Sequence, residues 1–138
     1  NPAESIDFNG NTGPFIQYTY ARIRSVIRKG ATIEEMAGYK SAAINSDFIF
    51  NDKEHALMKM ILAYPYELSA AAEKYSPAIM ANYAFELAKN YNQFYHENPI
   101  VDKADVTTSI FRLKLSEACA DILSKTLALL GMQVPERM

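Results

Sequence analysis

The chain has 138 residues, 49% hydrophobic and 22% charged, a balance that supports one domain with its own core. A net charge of −2 excludes coating nucleic acid by charge alone. The longest apolar stretch, ALMKMILAYPY, is interrupted by Lys59 and Pro65, so no membrane span is expected.

The opening, NPAESIDFNGNTG, has no initiator Met and reads as mid-chain loop, which predicts a piece of a longer protein. Gly10 and Gly13 flank a turn like a loose phosphate loop, but no Lys-Ser/Thr follows and no strand precedes. Pro14 as an early helical residue and Gly30 at the C′ position predict a first helix over 14–29. Ile16, Tyr20, Ile23 and Ile27 form its core stripe. Tyr18, Arg22, Ser25 and Lys29 follow two residues later, about 200° around the helix, and face outward. Residues 1–30 carry Arg22, Arg24, Arg28 and Lys29 against Glu4 and Asp7, so positive charge gathers on this helix.

Residues 30–51 read as a linker, with a capping box at Thr32–Glu35 predicting a short helix. Asn51 or Asp52 caps the next helix, which Pro65 ends while opening another, so the two form a bent pair. Ser76 and Pro77 start a long helix that stops before Pro99 and buries Met80, Tyr83, Leu87, Tyr91 and Phe94, with Tyr95 beside that face. The last helix, 106–130, carries Phe111, Leu115, Ala118, Ile122, Leu123, Leu127 and Leu130, and Gly131 closes it. The pattern predicts an all-α antiparallel helical bundle of about five helices in a single domain. Tyrosine packs on one side and presents a polar tip on the other, so many of the nine Tyr are expected at the surface.

Chemistry is sparse. His55 and His96 have no metal-spaced partners, and Cys119 sits in apolar helix as a structural thiol, consistent with a reducing compartment. No nucleophile–base pairing is legible, and a small helical enzyme is disfavoured. The Tyr18–Arg22–Lys29 stripe has two readings. On spacing alone a solvated basic face is the commoner one. The sharper one is single-stranded nucleic acid, with bases stacked on aromatic rings and cations on phosphates.

The segment NGNTGPFIQYTYARIRSVIRK resembles the G-x-T-G-P-Y/F-x-Q-Y-x-H/Y-A-R signature of class I arginyl-tRNA synthetases, and RLKLSEACADILSKTLALLGMQVPERM resembles the C-terminus of their DALR-type anticodon-binding domain. The resemblance covers nearly the whole chain and is least distinctive from about Ala31 to Phe50. Many members carry His where this chain has Tyr20. The resemblance implies a non-catalytic piece of an arginine–tRNA ligase, with residues 1–13 joining a missing N-terminal catalytic domain. No ATP-site signature of the HIGH or KMSKS type occurs, so the fragment needs no cofactor, while the full enzyme uses ATP with Mg. The implied partners are the anticodon stem-loop of arginine tRNA, whose middle cytosine is a main identity element, and the catalytic domain of the same chain, in the cytoplasm and away from membranes. The implied tRNA-binding residues are Tyr18 and Arg22 in the first motif, Lys29 on the same stripe, Tyr95, Arg112 and Met138. Packing is an open alternative for Tyr95 and Met138, and helix tying for Arg112. The competing reading of the whole chain is a standalone helical protein-interaction module with a Tyr-rich surface.

Overall fold

The structure, a computed structural model, describes residues 12–136. The expected junction over 1–13 lies outside the described residues except for Thr12 and Gly13, and Met138 lies outside them too. Among the described residues the regular elements are helices: α1 Gly13–Ala31, α2 Asp52–Leu62, α3 Tyr64–Glu73, α4 Pro77–Glu97 and α5 Val106–Leu129. Only Ala63 separates α2 from α3, and Pro65 stands in the first turn of α3. Counted as one broken rod, this bent pair leaves a bundle of four rods.

The contacts fix the directions. Gln17 meets Gln133, Arg24 meets Glu117 and Gly30 meets Leu113, so α1 and α5 are antiparallel. Tyr83 reaches Met60 and Asn98 reaches Asn51, so α2 and α4 are antiparallel, as short connections favour. Phe15 packs on Phe85 while Arg22 packs on Tyr95, so α1 runs parallel to α4. That pairing brings the outward stripe of α1 beside the last turn of α4.

The expected stripes of α1 and α4 are buried: Ile16, Tyr20, Ile23 and Ile27 on one, Met80, Tyr83, Leu87, Tyr91 and Phe94 on the other. α5 is buried more widely than its stripe, because it packs against α1, α4 and α2. Leu113, Ser116, Cys119 and Thr126 join its core, whereas Ala118 and Leu130 are only half-buried. Each large apolar side chain so buried contributes about 1.5–3 kcal/mol. The tyrosines divide. Tyr18, Tyr66 and Tyr75 are exposed, but Tyr20, Tyr39, Tyr83 and Tyr91 are core residues. Buried phenols need partners. The Tyr83 hydroxyl donates to the Met60 carbonyl at 2.7 Å. Ser116 donates to the Arg112 carbonyl, so Tyr91 donates to Ser116 at 2.9 Å.

Two local expectations are corrected. α1 does not end before Gly30 but runs through it to Ala31. Gly30 is an interior packing residue, since a Cβ there would lie 2.7 Å from Leu113 Cδ1. The Thr32 capping box does not form: Thr32 is the C-cap of α1, with its hydroxyl donating to the Lys29 carbonyl at 2.7 Å. Successive turns follow instead of a helix. This linker is anchored rather than loose: Met36 and Tyr39 are buried, and Lys114 donates to the Tyr39 and Lys40 carbonyls. Ser76 occupies the N-cap position of α4 with Pro77 after it, but its side chain makes no capping hydrogen bond. The Asn51 and Gly131 signals hold. Asn51 and Glu54 form a reciprocal capping box on α2. Gly131, at φ 76°, closes α5, with Met132 N–H donating to Leu127 and Gly131 N–H to Ala128.

Candidate nucleic-acid interface

The outward stripe of α1 meets the end of α4 around one guanidinium. The carbon of the Arg22 guanidinium lies 5.1 Å from the centre of the Tyr18 ring and 4.5 Å from that of Tyr95. Arg22 Nη2 donates to the Tyr18 hydroxyl at 3.1 Å, and Nη1 donates to Asn92 Oδ1. Asn92 is fixed in turn, its Nδ2 donating to Thr19 Oγ1 at 2.8 Å and to the Ala88 carbonyl at 2.9 Å. The cation is therefore held by two rings and an amide before any ligand arrives.

Two clefts open here. The first, about 430 Å³, is lined by Tyr18, Arg22, Ser25, Arg28 and Tyr95, among others. The second, about 390 Å³, is lined by Lys29, Tyr95, His96, Asn98 and Pro99 together with Val26 and two residues of the following loop. Both are within the usual range for small-ligand sites, about 300–1,000 Å³. Tyr95 borders both. It is half-buried, with its neighbours Tyr91 and His96 at 6.5 and 5.5 Å between ring centres. Tyr18 is 47% exposed, enough to offer its ring to a flat group.

The charges sort themselves on α1. Arg24 pairs with Glu117 at 3.2 Å and with Glu136 at 3.5 Å, and Arg28 pairs with Glu136 at 3.2 Å. No carboxylate among the described residues pairs with Arg22 or Lys29. These two lie seven residues apart, about 10 Å along the helix. The stripe read from the sequence thus carries the uncompensated positive charge of α1.

The structure brings Tyr18, Arg22, Lys29 and Tyr95 together. Arg112 stands apart. Its Nε donates to Glu54 Oε2 at 2.9 Å and its Nη1 to the Pro99 carbonyl at 2.8 Å, with 12% of the side chain exposed and only 2% of Glu54. In the free chain it ties α2, α5 and the loop after α4 together. Met138 lies outside the described residues. The sequence reading missed Asn92. Its spacing to Arg22, |i−j| of 70, leaves no local signal.

The bundle is similar to the arginyl-tRNA synthetase of Thermus thermophilus, with a TM-score of 0.77 and 30% identity over 96% of this chain and 22% of that one. The fold likeness gives the class, an all-helical domain similar to the one that synthetase carries. The family model described as the DALR anticodon binding domain matches residues 16–138, and the chain belongs to that family. Among curated relatives, it is 48% identical to the arginine–tRNA ligase of Porphyromonas gingivalis and 49% identical to that of Parabacteroides distasonis, over its full length in both cases. It spans 23% of the length of each. Family membership favours anticodon binding over the standalone interaction module.

Proposed function

We propose that this chain is the anticodon-reading domain of an arginine–tRNA ligase, and that the cleft between Tyr18, Arg22 and Tyr95 holds an unpaired base of the arginine tRNA anticodon loop. The observation that carries the reading is the Arg22 guanidinium packed against both rings at the mouth of an open cleft, within a DALR-family domain. A base stacks on an aromatic or guanidinium plane with little regard to its identity, and hydrogen bonds at its edge then select it. Arg22 and Lys29 supply phosphate contacts on either side of Tyr95. Met138 remains a proposed contact at the chain's end.

The chemistry of arginine activation, with ATP and Mg, belongs in this reading to a catalytic domain in the longer polypeptide, acting in the cytoplasm. The chain's part is to hold the far end of the tRNA so that the acceptor end is charged. The test is a titration of labelled arginine-tRNA anticodon stem-loop against wild type, Tyr18→Ala and Arg22→Ala. Each substitution is expected to weaken binding about ten-fold, since one stacked base contributes about 1–3 kcal/mol. Unchanged binding by both variants contradicts the site.

A further inference from the structure

The polar groups behind the second cleft form one connected chain. Glu54 Oε2 accepts from Arg112 Nε at 2.9 Å, and Glu54 Oε1 accepts from the Asn51 N–H at 2.9 Å. Asn51 Nδ2 donates to Asn98 Oδ1 at 2.7 Å. Asn98 then delivers two donors to one acceptor, the Phe94 carbonyl: its N–H at 3.0 Å and its Nδ2 at 2.9 Å. Arg112 Nη1 holds the carbonyl of Pro99, the residue after Asn98, at 2.8 Å.

This chain starts on a carboxylate that is almost wholly buried and ends on the wall of a cleft. Helix ends fray, because their last carbonyls have no intrahelical donor. Tyr95 and His96 sit in the last turn of α4, where fraying would swing their rings. Two donors on the Phe94 carbonyl pin that turn, and the Arg112 guanidinium, donating to both Glu54 and Pro99, pins the chain just past Asn98. Lysine lacks such a fork.

We propose that Asn51, Glu54, Asn98 and Arg112 are positioning residues for Tyr95, a relay that sets the aromatic wall shared by the two clefts. The proposal rests on the reading of those clefts as the anticodon site. Arg112 therefore acts on RNA binding through the α4 end, without touching RNA.

The test uses the full 138-residue chain and a labelled arginine-tRNA anticodon stem-loop. Asn51→Ser keeps a side-chain oxygen at the N-cap but removes the donor to Asn98. Arg112→Lys keeps the charge but loses the fork. Each is compared with Tyr95→Ala and with the corresponding double variant, alongside thermal midpoints. Asn51→Ser is expected to weaken binding roughly five-fold with the midpoint nearly unchanged, and to add nothing in the Tyr95→Ala background. Arg112→Lys should show the same loss of effect once Tyr95 is gone. If Tyr95→Ala weakens binding but Asn51→Ser does not, or if the losses multiply, the relay is wrong while the site stands. If Tyr95→Ala binds like wild type, the site reading itself fails and takes the relay with it.

Discussion

The Arg22 guanidinium, from the middle of α1, lies 4.5 Å from the centre of the Tyr95 ring in the last turn of α4. The contact exists because α1 and α4 run parallel, so the outward stripe of one reaches the end of the other. It leaves the guanidinium of a basic helix face already held by two rings and an amide, so that in the proposed function little ordering is left to be done on binding.

Arg22→Lys should reveal how much of this depends on the planar group. Lysine retains the charge but lacks the planar group that lies against Tyr18 and Tyr95 and donates from Nη2 to Tyr18 and from Nη1 to Asn92. Binding of the stem-loop should fall about ten-fold, roughly 1.4 kcal/mol, with little change in thermal midpoint. Lysine binding equal to wild type would reduce Arg22 to a point charge.

Tyr75 is a non-glycine residue in the left-handed region, at φ 50°, just past α3. Ser76 N–H donates to the Ala71 carbonyl and Tyr75 N–H to Ala72, the closing pattern that glycine normally serves. The ring is 93% exposed, so little packing is lost with it. Tyr75→Gly should stabilise the fold by about 0.5–1 kcal/mol, the left-handed strain less the extra backbone entropy of glycine. Urea denaturation measures it, and a destabilised variant would show that the ring has a partner.

Gly30→Ala pits helix propensity against packing. Alanine gains about 1 kcal/mol in a helix interior and less at Gly30, the next-to-last residue of α1. Its Cβ would lie 2.7 and 2.9 Å from the two Leu113 methyls, and Leu113 is fully buried and has little room to shift. Overpacking costs about 1–3 kcal/mol, so the net effect should be a loss of about 1 kcal/mol. Combining it with Leu113→Ala should remove the penalty of the Gly30 change. A more stable single variant would mean that the methyls move aside freely.

Alkaline pH should destabilise the chain. Burial raises the pKa of Tyr20, Tyr39, Tyr83 and Tyr91, and the Glu117 carboxylate adds to the effect at Tyr39, which is pushed up to about 12. Free tyrosine ionises near 10. Above about pH 10 the unfolded chain sheds protons that the fold retains, so stability falls as pH rises. Tyrosinate absorbance should show these four titrating late in the native chain and normally in denaturant. All nine ionising together near pH 10 in the native state would contradict their burial.

Much of this was legible because it is local. Periodicity placed the stripes of α1 and α4, and the i, i+4 spacing of Tyr18 and Arg22 survives as a 3.1 Å hydrogen bond. The Gly30 and Thr32 readings missed because tertiary packing overrode the local signal: Leu113 fills the space a Cβ at Gly30 would take, and α1 continues past its expected stop. Tyr95, read from resemblance, joins the site only through the parallel α1–α4 packing. Asn92 and the Glu54 partner of Arg112 lie too far along the chain for any pattern to pair them.

The most direct measurement is selectivity for the middle anticodon base. Arginine-tRNA stem-loops differing only there are titrated against wild type and Tyr95→Ala at one fixed salt concentration. The account predicts that wild type prefers the cytosine loop by about ten-fold or more, and that Tyr95→Ala loses most of this preference. Equal binding of all loops by wild type, or a preference untouched by Tyr95→Ala, would contradict it.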